Sequence, residues 1–159
     1  MPRPLLRAFL ALALGASSRA GTVPPFSLKQ LDGALFKLDD HLKKQVIVLD
    51  FWATWCVPCT KALKKLQGLR EKFPDVLVLA AAIDDGRTLA EVGPYVQGRG
   101  FTFTVLLDSD ASVCRMFNPE GAVPYTMVID KQGALAYSHS GYLPGDEQAL
   151  FAAVAKLDR

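Results

Sequence analysis

Cys56 and Cys59 stand two residues apart in FWATWCVPCTK, Phe51–Lys61, at the end of an apolar and aromatic run. Two thiols at this spacing can hold a soft metal ion, clip the backbone, or exchange electrons by opening and closing a disulfide. A structural zinc site takes four ligands. The chain offers His41 and His139, far apart in sequence, and no second cysteine pair. No zinc, and no cofactor, is expected. Three cysteines are also too few for a disulfide scaffold in a chain that is 50% hydrophobic. Redox exchange is the leading reading. Cu(I) is satisfied by two thiolates, so a copper-handling protein is the alternative from a different class. A thiol peroxidase is the third.

If a helix begins at Cys56, its thiol lies beside backbone N–H groups that have no intrahelical partner. Those donors and the helix dipole stabilise a thiolate, which is the attacking form in disulfide exchange. Pro58 has no N–H, which costs nothing in a first helical turn, and it fixes the backbone between the two sulfurs. Cys59, one turn in, is then the less exposed thiol and the one that resolves a mixed disulfide on Cys56. Asp50 lies inside the apolar strand six residues before Cys56. Buried there, its carboxyl is pushed towards the protonated form and suits a proton acceptor for Cys59; at the strand's edge it would be merely solvated. Pro124, in EGAVPYTMVID, immediately precedes an expected strand. An ordinary trans loop proline is the commoner case. A cis Val123–Pro124 bond would instead free the Val123 main chain to pair with an extended substrate.

The elements that must position these residues follow from periodicity. Phe26 to Leu38 predicts a hairpin around Asp32-Gly33. Val46–Phe51, Val76–Ile83 and Phe101–Asp108 are nearly continuous apolar runs, as in strands covered on both faces. Ala62, Leu63, Leu66, Leu69 and Phe73 recur at helical spacing until Pro74-Asp75. Thr88–Gln97 predicts a helix kinked or split at Gly93-Pro94, and Asp110–Phe117 a short helix. Tyr125–Asp130 and Ala134–Ser140 predict an antiparallel pair, and Asp146–Leu157 a closing helix. The expected fold class is α/β, a mixed central sheet flanked by helices. The cysteine pair falls where a central strand passes into a helix, at the carboxyl end of the sheet where sites usually form.

The net charge of +2 is spread over interspersed Lys, Arg, Asp and Glu, which gives no reason to expect nucleic-acid binding. Residues 1–20 differ from the rest. Arg3 and Arg7 precede an apolar stretch, Ala8 to Ala16, and small residues end in Ser18-Arg19-Ala20. This is the layout of a secretory signal cleaved after Ala20, with an uncleaved membrane anchor as the alternative. A domain spanning 21–159 is expected, in a periplasmic or other extracytoplasmic compartment where a close cysteine pair can cycle through a disulfide. Cys114, between Val113 and Phe117 at helical spacing, is expected in the core. Lys61, Lys64 and Lys65 form a basic helix face near the cysteines.

WATWCVPC resembles the active-site motif of the thioredoxin superfamily. With PPFSLKQLDG, AIDDGR, FTFTVLLDSD, VPYTMVIDKQG and the final helix, the chain from Pro25 onward is similar to its TlpA/ResA-like branch of extracytoplasmic thiol–disulfide oxidoreductases. The resemblance implies a thioredoxin-like fold with an N-terminal β-hairpin and a central insertion. It implies Cys56 as nucleophile, Cys59 as resolving cysteine, Pro124 as the cis-proline beside them, and Trp52 and Trp55 as flanking aromatics. Asp50 matches the buried acid of thioredoxins proper, where many TlpA-like proteins carry Asn. The branch often places Arg, Glu and Pro at the positions held here by Thr60, Ala62 and Lys64. By resemblance, the partners are extracytoplasmic protein thiols and disulfides, as in cytochrome c biogenesis or metal-site assembly. A membrane electron donor and a monomeric state go with a reductant of this kind.

Overall fold

The computed structural model describes residues 21–159, so the secretory-signal segment lies outside the described residues. The elements run β1 (Ser27–Gln30), β2 (Leu35–Lys37), β3 (Ile47–Trp52), α1 (Val57–Lys72), β4 (Leu77–Ala82), α2 (Val92–Gly98), β5 (Thr104–Leu107), α3 (Ser112–Phe117), β6 (Tyr125–Ile129), β7 (Leu135–Ser140) and α4 (Asp146–Leu157). One seven-stranded mixed sheet has the order β2-β1-β5-β4-β3-β6-β7. β3 pairs in parallel with β4, and β4 with β5; the β1–β2 hairpin and the β6–β7 pair add antiparallel edges. Between β4 and β6 the chain carries α2, β5 and α3.

The pleat divides the central strands between two cores, because successive side chains point to opposite faces. Val48 and Trp52 of β3 join Leu63, Leu66 and Leu69 of α1 and Leu150 and Val154 of α4 on one face. Ile47, Leu49 and Phe51 join Phe26, Phe36, Val113 and Cys114 on the other. Every residue of β3 is buried, as its unbroken apolar run requires.

Two expected elements are shorter than their sequence patterns. The strand expected over 101–108 forms only at Thr104–Leu107. Gln67 on α1 accepts the Thr102 amide at 2.9 Å, taking it from the sheet ladder, and Phe101 and Phe103 stack on each other at 5.1 Å. The helix expected from Asp110 starts at Ser112, because Ala111 adopts a left-handed conformation (φ 53°). The Thr88–Gln97 segment divides ahead of the expected point: a 3-10 turn at Leu89–Glu91 gives way to α2 at Val92, and Gly93-Pro94 lies within the first turn of α2, where a missing N–H costs no helical hydrogen bond. The chain ahead of β1 is pinned to the β6–β7 turn: Thr22 bridges Ala134, and Val23 N–H donates to the Gly133 carbonyl at 2.8 Å. Gly133 has φ +83°, and a Cβ there would stand 2.9 Å from Thr22 Cγ2, so the approach needs glycine.

Candidate active site

β3 ends at Trp52, and four residues later Cys56 occupies the N-cap of α1, with Pro58 as its second helical residue. Cys56 and Cys59 are joined in a disulfide with Cα atoms 5.3 Å apart. Cys59 is fully buried and Cys56 is 5% exposed, so the outer sulfur belongs to Cys56. Either side of it, Trp55 is 59% and Val57 80% exposed, an apolar rim beside the disulfide.

The loop holding Cys56 is anchored on both sides. Asp84, just past the end of β4, accepts from the Thr54 amide at 3.0 Å and from the Thr54 hydroxyl at 2.5 Å. Thr60, in the first turn of α1, shares a 2.5 Å hydrogen bond with Tyr95 of α2, and the Tyr95 ring lies 5.1 Å from that of buried Trp52. A thiol held this way keeps its position while its partner sulfur changes.

Asp50 is fully buried, which removes the edge-solvated alternative. It lies on the α1 side of β3, two residues from both Val48 and Trp52. The Thr126 hydroxyl donates to Asp50 Oδ1 at 2.5 Å, and Oδ2 has no partner among the described residues. Burial pushes the carboxyl up to about 7, against the smaller downward pull of the Thr126 hydrogen bond. Proton transfer near neutral pH is what such a group can do.

β6 runs antiparallel to β3 with Tyr125 opposite Phe51, so Val123 and Pro124 lie at the same end of the sheet as the disulfide loop. The Val123–Pro124 bond is cis. No hydrogen bond involves the Val123 main chain among the described residues. Cys56, Cys59, Asp50, Trp55, Pro58, Val123 and Pro124 are thus gathered at the carboxyl end of β3. Cys114 is not among them: it is buried on the opposite face, and burial pushes its thiol up to about 11. His41 stacks on Phe36, and His139 lies on β7. Among the described residues no three of His, Cys, Asp and Glu form a group able to hold a metal ion. Thr126 was not singled out in the sequence, although it stands two residues after Pro124; its partnership with Asp50 depends on strand register, which spacing does not reveal.

Residues 20–138 match the AhpC/TSA family. The chain belongs to that family. A thiol-disulfide oxidoreductase ResA from Geobacillus kaustophilus is 29% identical over 86% of this chain and 75% of its own length. The ResA of Geobacillus thermodenitrificans is 31% identical over 77% and 67% respectively. A structure from Chlorobium tepidum, with the proposed identity of thiol:disulfide interchange protein DsbE, is 26% identical with a TM-score of 0.79. It covers 88% of this chain, and 97% of that chain is matched. This AhpC/TSA member is a thiol–disulfide oxidoreductase of the ResA/DsbE type with a thioredoxin-like fold, and its substrates are protein thiols and disulfides.

Proposed function

We propose that the protein is exported and reduces disulfides in other extracytoplasmic proteins through the Cys56–Cys59 pair. The observation that carries this reading is the pair's placement: an outer sulfur at the N-cap of α1, an inner one buried, and a half-satisfied buried carboxyl on the same side of β3. In the reduced protein the Cys56 thiolate attacks one sulfur of a substrate disulfide, forming a mixed disulfide and releasing the other substrate sulfur as a thiolate. Cys59 then gives its proton to Asp50 and attacks Cys56 Sγ. The Cys56–Cys59 disulfide forms, and the second substrate thiolate leaves. Two electrons have passed to the substrate, so a membrane electron donor must restore the dithiol.

Trp55, Val57 and Pro58 form the face that meets the substrate. The Val123 main chain, ahead of cis Pro124, pairs with its extended segment. Export is supported by the basic, apolar and small-residue layout of residues 1–20. Disulfide exchange is supported by the similarity to the ResA thiol-disulfide oxidoreductases, and a reducing role in cytochrome c or metal-site assembly is what the motif's resemblance to the TlpA/ResA-like branch implies. The protein acts as a monomer.

Cys59→Ser leaves the nucleophile and removes the resolving thiol. Expressed in its own compartment, the variant should accumulate mixed disulfides through Cys56 that reductant releases. Absence of such adducts, combined with consumption of hydrogen peroxide by the wild type, would move the assignment to a thiol peroxidase; tight Cu(I) binding by the dithiol would move it to copper handling. The equilibrium potential of the pair decides the direction of electron flow. A value near or below about −230 mV is expected for the reductant, whereas one towards about −120 mV would make the protein a disulfide donor.

A further inference from the structure

A buried acid that gains and loses a proton in each catalytic cycle needs a path for that proton to water. Asp50 is wholly buried, yet its neighbours across the sheet lead outward. Strand register places Asp50 of β3 opposite Thr126 of β6, and Thr126 opposite His139 of β7. Directly opposed residues project to the same face, so the three side chains form one lateral row. The inner contact is the Thr126 hydroxyl on Asp50 Oδ1. At the outer end, His139 Nε2 lies 2.9 Å from Asp146 Oδ2 at the start of α4, with both side chains partly exposed. Between them is a cavity of about 20 Å³, whose walls include Thr126, His139, Asp146, Ala62 and Leu66. That volume suffices for one water, and the wall supplies polar partners for it.

We propose that Thr126, one water in this cavity and His139 form the proton route between Asp50 and solvent. The proposal rests on Asp50 being the proton acceptor of Cys59. In the outward direction, Asp50 passes its proton to Thr126 Oγ1 while the hydroxyl's own proton moves to the water. The water gives a proton to the imidazole of His139, which releases it to solvent. Every group but Asp50 and the solvent ends as it began, and inward transfer reverses each hop. Imidazole is a side chain able both to accept and to donate a proton, and its contact with Asp146 fixes the orientation of the ring. The other titratable groups around the cavity are Lys65 of α1, Glu147 of α4, Tyr137 of β7 and Tyr142 beyond it. Lys65 and Glu147 pair at 2.8 Å and neutralise one another, and both tyrosines are held above their ordinary range, chiefly by burial. His139 and Thr126 are positioning residues here; neither touches the sulfurs in the steps above.

The test is the single-turnover rate at which Cys59 resolves a mixed disulfide on Cys56, followed from pH 5 to 9 in H2O and D2O. His139→Gln should lower the plateau about tenfold without moving the pH of the rising limb. Its solvent isotope effect should increase, and added imidazole should restore the rate. Thr126→Val should slow the reaction likewise and move the limb to higher pH, since the carboxylate loses its hydrogen bond. Thr126→Ser, which keeps the hydroxyl, should behave as wild type. If His139→Gln and Thr126→Val keep the wild-type rate, limb and isotope effect while Asp50→Asn is slow, the route is overturned and the role of Asp50 stands. If His139→Gln is slow but shows neither a larger isotope effect nor imidazole rescue, its role is structural and the route is overturned. An Asp50→Asn variant as fast as wild type would remove the acid from the mechanism, and the route with it.

Discussion

Asp50 and Asp108 are both fully buried, and the difference between them separates a proton carrier from a structural clamp. Asp108, just past β5, accepts from the main-chain amides of Val113 at 3.2 Å and Cys114 at 2.7 Å. It satisfies donors at the start of α3 that have no intrahelical partner, so its ionised form holds the turn together. Burial pushes its carboxyl up, and the two amides pull it back. Asp50 has one hydroxyl donor and an oxygen with no partner. Its carboxylate is under-compensated for the loss of water, and that is why its proton is held until about neutral pH. What distinguishes the two is the number of donors aimed at the carboxylate, together with the deeper setting of Asp50 between the sheet and α1.

The comparison can be broken most directly at Asp50. Asp50→Asn should slow resolution by Cys59 about a hundredfold at pH 7 and above, while attack by Cys56 on a model disulfide changes little. The wild-type rate of resolution should rise with pH through about 7, as the carboxylate forms. Stability should respond in the opposite sense. A carboxyl raised from 3.8 to about 7 in the folded protein contributes stability that is full below about pH 4 and lost as the pH rises to about 7. Asp50→Asn, neutral throughout, should therefore match wild type at pH 4 and exceed it at pH 8 by up to about 4 kcal/mol, as read from denaturant unfolding of the oxidised protein. Asp108→Ala should do the reverse on both counts. It leaves two buried amides without partners, so unfolding free energy should fall by about 2–3 kcal/mol, with the resolution rate per folded molecule unchanged. A slowed rate in Asp108→Ala would erase the distinction.

Much of this was legible in the residues themselves. α4 forms over Asp146–Leu157 as its apolar spacing predicts, and β3, β6 and β7 fall within a residue of their patterns. Local periodicity governs such elements because each buries its apolar face against the neighbour that the pattern implies. The cysteine pair and the buried state of Asp50 were also legible, from one polar residue set in an unbroken apolar run. What spacing could not show was which side chains become neighbours across the sheet. Asp50, Thr126 and His139 come from strands 76 and 13 residues apart in sequence, and only register puts them in one row. The clamp of Asp84 on Thr54 and the capture of the Thr102 amide by Gln67 are of the same kind: long-range hydrogen bonds that no local pattern announces.

The pinning of Thr22 and Val23 to the β6–β7 turn gives the molecule two poles. That turn follows Ile129, which pairs with Ile47 at the start of β3, whereas the disulfide lies beyond Trp52 at its far end. The six residues between span about 20 Å. A carrier, tag or surface that grips the chain just ahead of Gly21 therefore meets the blunt pole. The redox pole thus lies at the opposite end of β3 from the place where the described chain enters the fold.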